Sequence, residues 1–261
     1  VADDPTRLVR GARYAARLGF ELAPEALQQV LNTLANWPWS WLQGDAPALA
    51  PSALGTRLRM ELELLLEREP WREALTALQR CGALALLDDD LQADRGWQRR
   101  LHWAQRFGLP LLPALVTGAS DPVVLAERLQ LPHKYQKLLV QWRLLRERWQ
   151  CLLQSRLGPD KPMSAAWGAV AWSQWLEAPG LSSDAVALEL VCGAGLMAQP
   201  TGSIQLSLPR RPLLRWWLHW RHLTAPFSAE ELMEAEGLRP GPALGERLRC
   251  LRAERLAGER C

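Results

Sequence analysis

The chain opens on one aspartate and four arginines whose spacing could do chemistry. In the stretch ADDPTRLVRGARYAARLGF, Asp4 is followed by Arg7, Arg10, Arg13 and Arg17 at intervals of three and four. At about 100° per residue these guanidiniums share one stripe of a helix, with Asp4 one turn ahead on nearly the same face. Val9, Ala12, Ala15, Ala16 and Phe20 fall on the other side, which is therefore built to pack. Asp4 before Pro5 is a helix start, because the carboxylate caps free amides and proline fits the first turn. Gly19 is a matching stop. Four like charges on one stripe repel unless something anionic lies against them. Carboxylates from elsewhere in the chain would satisfy them. So would a phosphate or nucleotide, which guanidiniums grip bidentately. Spacing alone leaves both occupants open.

Other reactive residues carry weaker signals. The five cysteines, Cys81, Cys151, Cys192, Cys250 and Cys261, are odd in number and widely spaced, with no C-x-x-C pair. That pattern predicts no disulfide framework and fits a reducing cytoplasm. His219 and His222 would share a helix face, but a zinc site wants three or four ligands and no third is near, so a packing or surface role is expected. Asp88, Asp89 and Asp90 form the densest acidic cluster and are expected to be a solvated helix end. Of the 14 tryptophans, Trp37, Trp39 and Trp41 alternate through a loop, and Trp216, Trp217 and Trp220 share a helix. With only 3 Phe and 2 Tyr present, core packing is the better account of them than base stacking.

The elements that must position these residues are helical. Apolar residues recur at three and four in Leu58, Leu62, Leu65–Leu66 and again in Leu138–Leu139, Trp142, Leu145 and Trp149. Ser203–Leu208 is the best strand-like alternation, and it is short. Breaks fall at Pro38, Gly44–Pro51, Gly108–Pro113, Gly158–Pro162 and Gly193–Pro212. The predicted fold class is all-α. A chain of 261 residues, 48% hydrophobic and 23% charged, supports one or two folded units and excludes a wholly disordered one. No apolar run approaches the roughly 20 residues of a membrane helix.

The net charge of +3 hides an uneven distribution. Residues 1–94 carry a balance of −5, residues 95–158 one of +8, residues 159–208 one of −3, and residues 209–261 one of +3. The basic middle block is the natural place for a polyanion to lie.

The opening stretch resembles a motif of the class II tRNA nucleotidyltransferases, the CCA-adding enzymes and their CC-adding and A-adding relatives, within the poly(A) polymerase family. Their acidic-Asp-x-x-Arg helix runs into R-x-x-R-F and L-G-F; here Asp3 stands for the frequent Glu and Tyr14 for the usual Phe. Gly55-Thr56-Arg57-Leu58-Arg59-Met60-Glu61 resembles the E-R-x-x-x-E helix of the same enzymes, keeping Arg57 and Glu61. Glu231-Leu232 through Gly237-Leu238-Arg239-Pro240-Gly241-Pro242 and Gly245 resembles their D-L-x-x-x-G-L-x-P-G-P-x-x-G signature. The three segments stand in family order, and the alignment spans nearly the whole chain.

The resemblance implies an elongated helical neck, body and tail, at 1–94, 95–208 and 209–261, without the family's α/β head. It implies a cytoplasmic RNA-processing transferase that adds C, A or both to the tRNA 3′ end from CTP and ATP. Asp4 and Arg7 would read the incoming base. Arg10 and Arg13 would also line the nucleotide site, orienting that pair and neutralising the triphosphate. Arg57 and Glu61 would brace the helix. Arg95, Arg99, Arg100, Arg106, Arg143, Arg146 and Arg148 are expected to grip tRNA phosphates. The Mg2+ ions of the reaction belong to a head with a Gly-Gly loop and an Asp-x-Asp strand; neither motif occurs here, so no catalytic residue or metal ligand is expected and the chain alone is expected to be inactive. A bacterial poly(A) polymerase shares the Asp-x-x-Arg helix, but the Gly-Pro-x-x-Gly tail and the lack of a long basic extension favour the tRNA enzymes. A non-catalytic helical RNA-binding module is the third reading.

Overall fold

A computed structural model describes residues 3–156, 167–193 and 208–259. Among them every regular element is helical, so the fold is all-α. Ser203–Ser207, most of the strand-like stretch, lies outside the described residues. The chain divides into two compact units, Val1–Val140 and Gln141–Cys261. The boundary expected at 94/95 falls inside the first unit, and that at 208/209 inside the second.

The first unit begins with α1 (Thr6–Leu18), α2 (Pro24–Asn36), α3 (Thr56–Arg68) and α4 (Trp71–Arg80). α1 packs on α3 and α4. Leu8, Val9 and Ala12 of α1 are buried, as are Leu58, Leu62 and Leu65 of α3 and Ala74, Leu75 and Leu78 of α4. Phe20, expected on the packing side, is exposed instead. The reason is local: Gly19 takes the left-handed conformation (φ 67°) and ends the helix, with the Phe20 amide donating to the Ala15 carbonyl at 2.9 Å.

Short helices follow: α5 (Asp89–Ala93), α6 (Trp97–Arg106), α7 (Leu111–Val116) and α8 (Pro122–Arg128). In the acidic cluster at the start of α5, Asp89 is exposed and Asp90 half-buried, as a solvated helix end would have them, but Asp88 is not. Asp88 is buried and caps the helix, accepting from the Asp90 amide (2.9 Å), the Ser120 amide (3.1 Å), the Ser120 hydroxyl (2.7 Å) and the Gln43 amide group (2.8 Å). A carboxylate with that many donors joins three loops rather than facing water. Asp121 caps α8 likewise, with Pro122 at its first position.

α9 (His133–Arg156) runs across the division between the units. The second unit adds α10 (Ala169–Leu176), α11 (Ser183–Cys192), α12 (Arg210–Leu218), α13 (Ala229–Glu236) and α14 (Pro242–Ala257). Its core gathers Leu145, Trp149, Trp172, Leu190, Trp216 and Trp220. Tryptophan supplies much of this core, as its abundance predicted. Ser228 and Glu231 form a reciprocal capping box at the start of α13.

Glu189 of α11 is buried in this unit, where its carboxylate accepts from the Trp142 indole at 2.8 Å with Arg146 4.0 Å away. Burial pushes its carboxyl above the ordinary value, against the pull of Arg146 and Trp142. A raised folded-state value means that ionising Glu189 costs stability as the pH climbs past the ordinary carboxylate range. Glu189→Gln keeps an acceptor for Trp142 and removes the charge. The variant is expected to melt higher than the parent at pH 7, with the gain shrinking as the pH falls towards 4, read by thermal melts across that range.

Candidate nucleotide and RNA site

The stripe on α1 is laced to α3 and the residue that follows it by ion pairs spanning 48 to 56 residues of sequence. Asp4 pairs with Arg57 at 2.6 Å, Glu61 with Arg10 at 2.6 Å and Arg13 at 3.3 Å, and Glu69 with Arg13 at 3.7 Å and with Arg17. Because pairing rises in the same order along both helices, α1 and α3 run parallel. Of the two occupants left open by spacing, internal carboxylates take Arg10, Arg13 and Arg17. Arg7 differs: it is exposed and enters no ion pair among the described residues.

Asp4 sits at the head of α1 with 14% of its side chain exposed. Its Oδ1 accepts from the Thr6 amide (3.1 Å) and the Thr6 hydroxyl (2.6 Å), and its Oδ2 accepts from Arg57 (2.6 Å). Burial alone would raise its carboxyl. The Thr6 hydrogen bonds and the charges of Arg57 and Arg10 outweigh that and hold it below the usual carboxylate range. Glu69 is also held low, first by the hydrogen bond from Arg17.

Both shifts have the same sign. Depressed folded-state values give stability that is complete above the ordinary carboxylate range and lost as the pH falls through the lower values. The contribution of these pairs to the stability of the first unit is expected to hold from about pH 7 to 5 and to drop below about pH 4. Glu69→Gln should flatten that drop; an unchanged acid slope would show that the lacing does not titrate.

Arg10 remains partly open, with 44% of its side chain exposed. Arg13, expected to line the nucleotide site, does not reach the surface. Its side chain is 9% exposed, between two carboxylates, with its guanidinium 5.0 Å from the Tyr14 ring centre. It supports the stripe from behind. Arg57 holds Asp4, just ahead of α1, and Glu61 holds Arg10 within it, so the two brace both ends of the Asp4–Arg10 segment. The partners Thr6 and Glu69 were not singled out in the sequence. The Asp-x-Thr spacing is the local signal for the first; nothing local marks the second.

The expected RNA-facing arginines divide by burial. Arg95, Arg99 and Arg106 are exposed, with Arg106 set over the Trp103 ring at 5.6 Å. Arg143 is exposed beside Glu147. Arg146 lies against the Trp142 ring at 5.0 Å, and Arg148 donates to the Pro179 carbonyl at 2.9 Å. Arg100 must be withdrawn from the set. Its side chain is 6% exposed, bonded to Asp94 (2.6 Å) and to the carbonyls of Ala114 (2.7 Å) and Leu115 (3.2 Å). Gly118 makes room for this cluster, since a Cβ there would lie 2.6 Å from the Asp94 carboxylate. His219 contacts Glu259 and His222 contacts Arg221, so the two rings do not converge. Among the described residues no three His, Cys, Asp or Glu side chains gather to hold a metal, and Asp88 is spent on capping.

No protein-family model matches the chain. Curated proteins do. The multifunctional CCA protein of Neisseria gonorrhoeae is 32% identical over 129 residues, 49% of this chain and 29% of that protein. The CC-adding tRNA nucleotidyltransferase of Deinococcus radiodurans is 35% identical over 142 residues, 52% of this chain and 33% of that protein. About half of the chain is thus similar to part of CCA-adding and CC-adding proteins. Solved structures share its fold. A Thermotoga maritima CCA-adding enzyme complexed with tRNA superposes with a TM-score of 0.57 at 16% identity, over 99% of this chain and 58% of that one. A tRNA-processing enzyme with CTP gives 0.58 at 17%, over 98% and 63%. The chain thus matches about a third of the length of its curated relatives and some three-fifths of the solved chains. Among the described residues no helix is long and apolar enough to cross a membrane.

Proposed function

We propose that this chain is the base-reading and RNA-gripping part of a tRNA nucleotidyltransferase that adds C, A or both to a tRNA 3′ end. The observation that carries the reading is Arg7, exposed and outside every ion pair among the described residues, one turn from an ionised Asp4 while its stripe neighbours are tied down. A carboxylate only accepts and a guanidinium only donates. Cytosine and adenine each offer an amino donor beside a ring-nitrogen acceptor, and one Asp with one Arg satisfies either. Uracil and guanine present the reverse order and leave buried groups unpaired, at roughly 1–3 kcal/mol each. Arg10 keeps enough exposure to meet a phosphate, and Arg13 positions it through Glu61. Arg95, Arg99, Arg106 and Arg143 supply the phosphate contacts to tRNA. Phosphoryl transfer with Mg2+ belongs to a nucleotidyltransferase head joined to this chain, and the cytoplasm is its place of work.

The test has two arms. Asp4→Ala or Arg7→Ala, in the chain joined to such a head, should admit UTP and GTP at the 3′ end; unchanged selectivity removes the base-reading role. The purified 261-residue chain should bind tRNA with a steep loss between about 50 and 200 mM salt. A flat response removes the RNA-gripping role, and CTP or ATP incorporation by the chain alone removes the division of labour.

A further inference from the structure

The hydrogen bonds that Asp4 already makes limit what it can still accept. A carboxylate offers about four lone-pair directions. The Thr6 amide at 3.1 Å and the Thr6 hydroxyl at 2.6 Å fill both on Oδ1. Arg57 fills one on Oδ2 at 2.6 Å. One acceptor direction is left, on Oδ2.

We infer that Thr6 and Arg57 are specificity-determining positioning residues, which leave Asp4 a single acceptor aimed beside the Arg7 donor. The inference rests on Asp4 and Arg7 reading the base. A single remaining acceptor matches one N–H of the amino group on cytosine or adenine, and fixes where that N–H must lie. Without Arg57, Oδ2 has two open directions and the carboxylate is anchored on one oxygen only, so bases in other registers are accepted. The same contacts keep Asp4 ionised. That matters because a protonated carboxyl donates, and a donor at this position would suit the carbonyl of uracil or guanine. Arg57 therefore guards the reading by aiming the acceptor, through its 2.6 Å bond to Oδ2.

Neither residue needs to touch the base. The Arg57 side chain is 52% exposed, so its replacement removes little packing. Thr6 is fully buried, and valine keeps its shape while removing the hydroxyl.

The experiment measures binding of CTP and UTP by competition to the chain joined to a nucleotidyltransferase head, from pH 5 to 8, for the parent and for Arg57→Met, Arg57→Lys, Thr6→Val and Asp4→Ala, each checked by a thermal melt. The parent should prefer CTP by a ratio that is flat with pH. Arg57→Met should cut the ratio about tenfold, the worth of one misplaced hydrogen bond. Arg57→Lys should restore most of it, because an ammonium still donates to Oδ2. Thr6→Val should lower it too. A ratio that changes in Asp4→Ala but stays at the parent value in both Arg57→Met and Thr6→Val overturns the inference and leaves the base-reading proposal standing. A ratio indifferent to Asp4→Ala, or no nucleotide binding by the parent, overturns both.

Discussion

Replacing Glu61 with alanine is expected to cost the first unit about 3 kcal/mol, near the low end for breaking a buried ion pair. Glu61 is buried at the junction of α1 and α3 and answers two guanidiniums, Arg10 and Arg13. Arg10 can turn to water when its partner is gone. Arg13 cannot, because its side chain lies beneath Tyr14, and it keeps Glu69 at 3.7 Å as its carboxylate partner, with a long bond to the Tyr14 hydroxyl at 3.4 Å. The penalty is thus mostly that of a half-answered buried charge rather than of a lost attraction. A unit of this size should melt roughly 10 °C lower. The double-mutant cycle supplies the check: in an Arg13→Met background, Glu61→Ala should cost far less. Equal costs in both backgrounds would show that the buried charge is not the cause.

Arg100→Met should be as damaging, for a different reason. The substitution leaves the Asp94 carboxylate and the carbonyls of Ala114 and Leu115 without their shared donor. Asp94 is itself 7% exposed and cannot recover its losses from solvent. A cost of about 3–5 kcal/mol is expected in chemical denaturation. Its neighbour Arg99 makes the contrast. Arg99→Glu is at the surface and should leave stability within about 0.5 kcal/mol while weakening tRNA binding and flattening its salt dependence. If Arg100→Met instead left the melt untouched and weakened RNA binding, the assignment of the two side chains would be reversed.

Arg99 and Arg100 also show where the sequence stops being legible. Both carry the same side chain in the same basic block, and only the helix phase set by Trp97, Leu101 and Ala104 sends one inwards. The fold class was readable because apolar periodicity is local: Leu58, Leu62 and Leu65 fall where the pattern puts them. The stripe on α1 was readable for the same reason. Which of its arginines stays open was not, since Glu61 and Glu69 lie some fifty residues on and pairing at that range is settled by packing. Asp88 was misread although a local sign existed: an aspartate ahead of two more acids in a first turn is a cap. Its further bonds to Gln43 and Ser120 are long-range and left no mark.

The alternation of charge between α1 and α3 bears on how α1 finds its seat. Arginines at 7, 10, 13 and 17 repeat about once per turn, so a slide of one turn would still bring a guanidinium to Glu61. Along this edge the interface is nearly degenerate. Asp4 breaks the degeneracy. In the slid arrangement Arg7 would take its place and meet Arg57, cation against cation, where the native seating sets a carboxylate 2.6 Å from that guanidinium. One acidic residue at the head of the helix thereby acts as an index mark, selecting a single axial position out of several that the arginines alone would tolerate.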